Sequence, residues 1–212
     1  MIRALLLSCA LAGCSHEPAA AIDPVLAELV PALDPRVPRD AYQYRRALIG
    51  NARAVWGMHV PVATFAGQVH QESMWRADAV SRVGAAGLAQ FMPRTADWIS
   101  GLYRDELGEN TPLNPAWALR GLVRYDRHLW DRVRPFDTDC DRMQFALADY
   151  NGGSGWRMKR QARSPEPGRF EVTGRINPGI TPGNQRENEE YPLRIVHRWQ
   201  PLYESWGAGI VC

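Results

Sequence analysis

The chain has 212 residues, with 25 basic against 23 acidic side chains and a formal net charge of +2. That length allows one domain with a sizeable core, and so even a balance excludes the strong positive field by which proteins collect nucleic acid. Lys159 is the only lysine; arginine's planar fork suits carboxylate and sugar contacts, although the bias equally fits the coding preference of a genome.

The chain opens with Arg3 and the apolar run Ala4-Leu5-Leu6-Leu7, the charged start and apolar centre of a secretory signal. The run is too short for a stable membrane-spanning helix. It ends in Leu11-Ala12-Gly13-Cys14, which resembles a bacterial lipobox and marks Cys14 for lipidation; a plain signal peptide is the alternative. The reading divides the chain into a lipoprotein signal at 1–13, an Ala- and Pro-rich tether at 14–38 with a short helix at 23–33, and one domain at 39–212. With Cys9 removed and Cys14 acylated, Cys140 and Cys212 are left as a disulfide candidate in an exported protein, or as two unpaired thiols. Neither stands in Cys-x-x-Cys spacing, so no metal site is expected, and nothing calls for a cofactor.

The pattern downstream is helical. Asp40 is a candidate N-cap for a helix to Trp56, and Pro61 suits the first turn of one reaching Met74. Pro93 or Thr95 opens another towards Tyr103. Asn114-Pro115 starts a long one carrying Trp117, Leu119, Leu122, Val123, Leu129 and Trp130. Asp139 or Asp141 begins a helix to Tyr150, and a last one runs from Glu189 to Trp206. Between them, 157–185 reads as a Pro- and Gly-rich loop, a lid or a disordered stretch, in which Phe170-Glu171-Val172-Thr173 is expected as a short strand, giving a β-hairpin within 157–187. No run alternates long enough for a sheet, so the domain is expected to be mainly α.

Val62, Phe65, Val69 and Glu72 fall at i, i+3, i+7 and i+10, which puts Glu72 on an apolar helix face. A carboxyl there loses solvation and keeps its proton near neutral pH, the condition for protonating a glycosidic oxygen. The alternative is a helix-end Glu paired with Arg76. Glu72-Ser73 is followed by Ser81, by Gly87-Leu88-Ala89-Gln90-Phe91-Met92-Pro93 and by Ala148-Asp149-Tyr150-Asn151-Gly152-Gly153. No His-Glu-x-x-His is present, and no Pro-Cys-x-x-Cys follows His70-x-Glu72, so zinc protease and zinc deaminase readings fail.

These motifs, in this order, resemble the lytic transglycosylases of the soluble-lysozyme-like kind, which cut bacterial peptidoglycan. The resemblance implies a lysozyme-like single domain with a substrate groove. It implies one acid, Glu72, that protonates the bond from N-acetylmuramic acid to N-acetylglucosamine and then takes the proton of the muramoyl 6-hydroxyl, closing a 1,6-anhydro ring without water. Ser73, Ser81, Gln90, Met92, Tyr150, Asn151 and Glu187 would bind substrate around it. The implied partners are peptidoglycan strands, the membrane through the lipid on Cys14, and envelope-machine proteins. The implied location is the bacterial envelope, facing the periplasm, with the outer membrane favoured. Two residues depart from the family pattern: Ala89 stands where Met is usual, and Asp149 where a small residue is usual. Asp149 is either an arginine-paired or solvent-facing residue, or a second carboxylate able to activate water. A hydrolytic muramidase and a non-catalytic wall-binding subunit are the rival readings.

Overall fold

The computed structural model describes residues 34–212; the expected signal, Cys14 and the helix at 23–33 lie outside the described residues. The folded body reaches slightly further forward than the expected boundary at 39, because Val37 is buried in the main core.

Helix α1 (Ala41–Trp56) starts from a turn in which Ala41 N–H donates to Pro38 O; the Asp40 side chain makes no capping bond, contrary to expectation. Helix α2 (Val62–Ser73) is buried from Val62 through His70, and ends where Met74 and Trp75 both take positive φ, at 52° and 65°. Non-glycine residues pay for that conformation. It is held by the burial of Trp75, whose Nε1 donates to the Tyr203 hydroxyl at 2.6 Å. Then come α3 (Pro93–Leu102), the single turn α4 (Arg104–Leu107) and α5 (Pro115–Arg132). The last is capped by Asn114, whose Oδ1 accepts from Ala116 N at 2.9 Å. Helix α6 (Asp139–Gly152) is capped by Thr138, and stops at Gly153, where φ is 87°.

The region expected as a loop is largely folded. Helix α7 (Ser154–Gln161), the turn α8 (Phe170–Thr173) and α9 (Pro182–Leu193) occupy it, and Arg160 ties it down through bonds to Ile176 O, Asn188 and Gln185. The expected strand and hairpin are therefore wrong: Phe170–Thr173 is helical. A lone strand has no partner for its backbone groups, whereas this turn closes its own, with Gly174 N–H on Phe170 O at 2.7 Å. Phe170 is buried against Phe145 in a small second core with Leu129 and Val133. The last helix also differs from expectation, starting at Pro182 and changing to π winding over Arg194–Trp199 and to 3-10 over Gln200–Trp206. Pro192 and Pro201 supply no amide hydrogens to an α ladder, and the winding changes between them.

Helix α2 is the central element, packed against the two C-terminal segments, while α1 packs on α5, α5 on α6 and α6 on α9. Gly67 lets α2 and the C-terminal segment touch, since a Cβ there would lie 2.9 Å from Gln200 N. The end of the chain crosses the start of α2, with Ala63 N–H on Ala208 O at 3.0 Å. Cys140 and Cys212, 72 residues apart, are joined in a disulfide that ties this end to α6.

Candidate active site

Glu72 stands in the last turn of α2, at the floor of a groove of about 360 Å³. It is half-buried, and the surrounding protein pushes its carboxyl up to about 8. The Tyr191 hydroxyl donates to Glu72 Oε1 and pulls the other way, while the charge of Glu187 adds to the rise. Arg76 does not neutralise Glu72, because its Nε donates to the carbonyl of Ser73 at 3.2 Å. At neutral pH the group is thus a protonated acid facing the groove.

One wall is the glycine-rich turn. Val80, Ala86 and Phe91 pair through two isolated antiparallel bridges, and Gly87 has φ +76° with its α-carbon pressed on Pro112, where a Cβ would fall 1.8 Å from the carbonyl oxygen. Only glycine fits there. Ser73 pins the turn to α2, its Oγ donating to Leu88 O at 2.9 Å, and Tyr150 pins it to α6, its hydroxyl donating to Ala89 O at 2.7 Å. Gln90, itself at φ 45°, clamps the loop by donating to Ala79 O and Gly87 O at 3.1 and 3.0 Å. Ser81 Oγ accepts from Ala85 N at 2.9 Å.

Of the residues singled out in the sequence, Ser81, Gln90, Met92, Tyr150, Asn151 and Glu187 line the groove with Glu72; Ser73 does not, being buried beneath the turn. Met92 is exposed there. Asn151 donates to Glu187 at 3.4 Å and accepts from Asn188 at 3.1 Å. Asp149 lies outside the groove, 1 % exposed, with Arg157 Nε 2.8 Å from its Oδ2. Burial raises its carboxyl to about 6 against the pull of Arg157. Sequence reasoning missed Gln71, Tyr125 and Tyr191 as groove residues. Tyr191 carries a readable signal, four residues after Glu187 and so on the same helical side; Tyr125 and Gln71 are groove residues only through packing.

A depression of about 320 Å³ adjoins the groove, sharing Asn151 and Glu187 with it and adding Trp156 and Asn184. Another, of about 370 Å³, surrounds the disulfide and Phe170. Its carboxylates are engaged, Asp141 with Phe170 N and Thr138, and Glu171 with Arg175.

The transglycosylase SLT domain profile matches residues 51–172. Membrane-bound lytic murein transglycosylase F of Cellvibrio japonicus is 29% identical over 141 residues, covering 63% of this chain and 26% of its own. The chain spans about a quarter of the length of the curated relatives it matches. Among solved structures, an inactive mutant of the lytic transglycosylase Slt from Pseudomonas aeruginosa superposes with a TM-score of 0.64 at 23% identity, over 84% of this chain and 26% of that one. The 70 kDa soluble lytic transglycosylase of Escherichia coli gives 0.58 at 21% identity, over 76% and 24%. The fold is that of these lysozyme-like domains.

Proposed function

Because the chain belongs to the transglycosylase SLT domain family, we propose that it is a peptidoglycan lytic transglycosylase that cuts between N-acetylmuramic acid and N-acetylglucosamine and leaves 1,6-anhydro ends. The observation that carries this reading is the single protonated acid, Glu72, at the floor of a groove with a phenol on its Oε1. Glu72 gives its proton to the glycosidic oxygen as the bond to the muramoyl carbon breaks. The resulting carboxylate, stabilised by the Tyr191 hydroxyl, takes the proton of the muramoyl 6-hydroxyl as that oxygen closes the ring. One carboxyl thereby does both transfers.

Hydrolysis by two carboxylates needs a base or nucleophile across the scissile bond. Asp149 is unsuited to that, since it is buried behind the groove and paired with Arg157. Glu187 shares the groove and accepts from Asn151; its role in this reading is to hold sugar hydroxyl or amide groups and to raise the proton affinity of Glu72. Ser81, Gln90, Met92, Tyr150 and Asn151 line the sugar path, and Ser73 shapes it from below.

The location follows the same reading: an envelope enzyme, made with a signal at 1–13, anchored by lipid on Cys14 with the outer membrane as its site, linked by a tether, and open to envelope-machine partners. Purified protein should release muropeptides with anhydro ends from peptidoglycan, identified by mass spectrometry. Reducing ends would assign it to the hydrolases, and no release at all to the wall-binding proteins. Cys14→Ala should move the protein from the membrane to the soluble fraction; retention on membranes after a salt wash would refute the lipid anchor.

A further inference from the structure

One helical turn before Glu72, Gln68 meets Asp126 of α5, and both side chains are fully buried. Gln68 Nε2 donates to Asp126 Oδ1 at 3.2 Å. The other two oxygens, Gln68 Oε1 and Asp126 Oδ2, are buried and have no hydrogen-bond partner among the described residues. Two acceptors cannot satisfy one another, so an ionised Asp126 leaves both stranded. A carboxylic acid presents an acceptor beside a donor, and a primary amide presents the complementary pair. A proton on Oδ2, donated to Gln68 Oε1, would satisfy both orphans at once.

Asp126 takes part in none of the ion pairs among the described residues. Among the described residues, the titratable groups whose charge acts on it or feels it are Glu72 on α2, Tyr125 on its own helix, Tyr150 on α6 and Tyr191 on α9, none of them a cation. We propose that Asp126 is held as a neutral carboxylic acid, joined to the Gln68 amide by two antiparallel hydrogen bonds, and that this pair is a positioning element for Glu72, locking α2 to α5 one turn behind it. The role in positioning rests on the reading of Glu72 as the catalytic acid; the protonation state does not. Burial drives the Asp126 carboxyl well above the usual range and Glu72 adds to that, with only the Gln68 bond opposing. A neutral Asp126 also keeps a second anion away from Glu72 during the step in which Glu72 is itself charged.

The protonation state is read without activity, in a Glu72→Gln background where Glu72 cannot contribute. Infrared difference spectra at pH 7 should show a protonated-carboxyl carbonyl band that disappears on adding Asp126→Asn. Absence of the band overturns the inference whether or not the enzyme cuts peptidoglycan. Positioning is read in the active protein. Asp126→Asn re-forms both hydrogen bonds as an amide pair, so kcat should stay within ~2-fold and the alkaline limb of the pH profile should not move. Asp126→Leu removes both bonds while filling the space, and should lower kcat by ~10-fold with KM little changed. A shift of the alkaline limb to lower pH by ~0.5 unit or more in Asp126→Asn would mean the native group is an anion acting on Glu72. Parental kcat in Asp126→Leu would reduce the pair to packing.

Discussion

The hydroxyl of Tyr191 donates to Oε1 of Glu72 across 119 residues of chain. It is the only side-chain hydrogen bond on the acid among the described residues, and it favours the charged form against the burial that favours the neutral one. Tyr191→Phe should therefore raise the proton affinity of Glu72 further and make its carboxylate harder to form. Cleavage should slow by ~10-fold, about 1.4 kcal/mol of barrier, and the alkaline limb of the pH–rate profile should move upward. An unchanged limb would show that the phenol does not act on Glu72.

Glu72→Gln should keep the fold and abolish cleavage, because the amide copies the shape and moves no proton. It should also stabilise the protein. The folded state binds this proton more tightly than the unfolded chain, so the contribution of Glu72 is complete below about 4.5 and is lost as pH rises towards about 8. The gain in the variant should be small at pH 5 and about 2 kcal/mol or more at pH 8, measured by urea unfolding at both. Equal gains at the two pH values would contradict the raised proton affinity.

Asp149→Asn leaves Arg157 charged and buried without its partner. Stability should fall by about 3 kcal/mol, while turnover per folded molecule should stay within ~10-fold of the parent, with anhydro products. A ~100-fold loss of turnover together with reducing ends would place Asp149 in the chemistry as a base.

Reduction of Cys140–Cys212, or the double change to serine, releases a 72-residue loop and the tail that crosses the start of α2. The expected cost is about 4 kcal/mol, read as a drop in Tm of ~10 °C for a domain of this size. A drop under ~2 °C would mean that packing of the tail alone holds that end.

Most helices of the domain were legible because their signals are local. Asn114-Pro115 caps and opens α5, and the glycine pair after Asn151 stops α6. The Phe170–Thr173 strand failed because four β-prone residues carry no information about a partner strand. What decided their state was Phe145, waiting 25 residues earlier to bury Phe170. The burial of Asp126 has a local signal that the reading of the sequence passed over: it falls on the apolar stripe of α5 with Leu119, Leu122, Val123 and Leu129, where a charge has no solvent. Its partner has no such signal, since nothing local links Gln68 to a residue 58 positions away.

By itself the sequence determined that α2 would carry an acid on its apolar face, because helical periodicity is a property of one segment, and that the glycine-rich turn would follow it, because positive φ selects residue types directly. Only the tertiary structure decided what the acid meets. Tyr191 comes to Glu72 from α9, and Ser73 turns away from the groove to hold Leu88. Asp149 is withdrawn into an arginine pair. The proton affinity of a carboxyl is set by the solvent it loses and the groups brought against it, and those come from segments far along the chain.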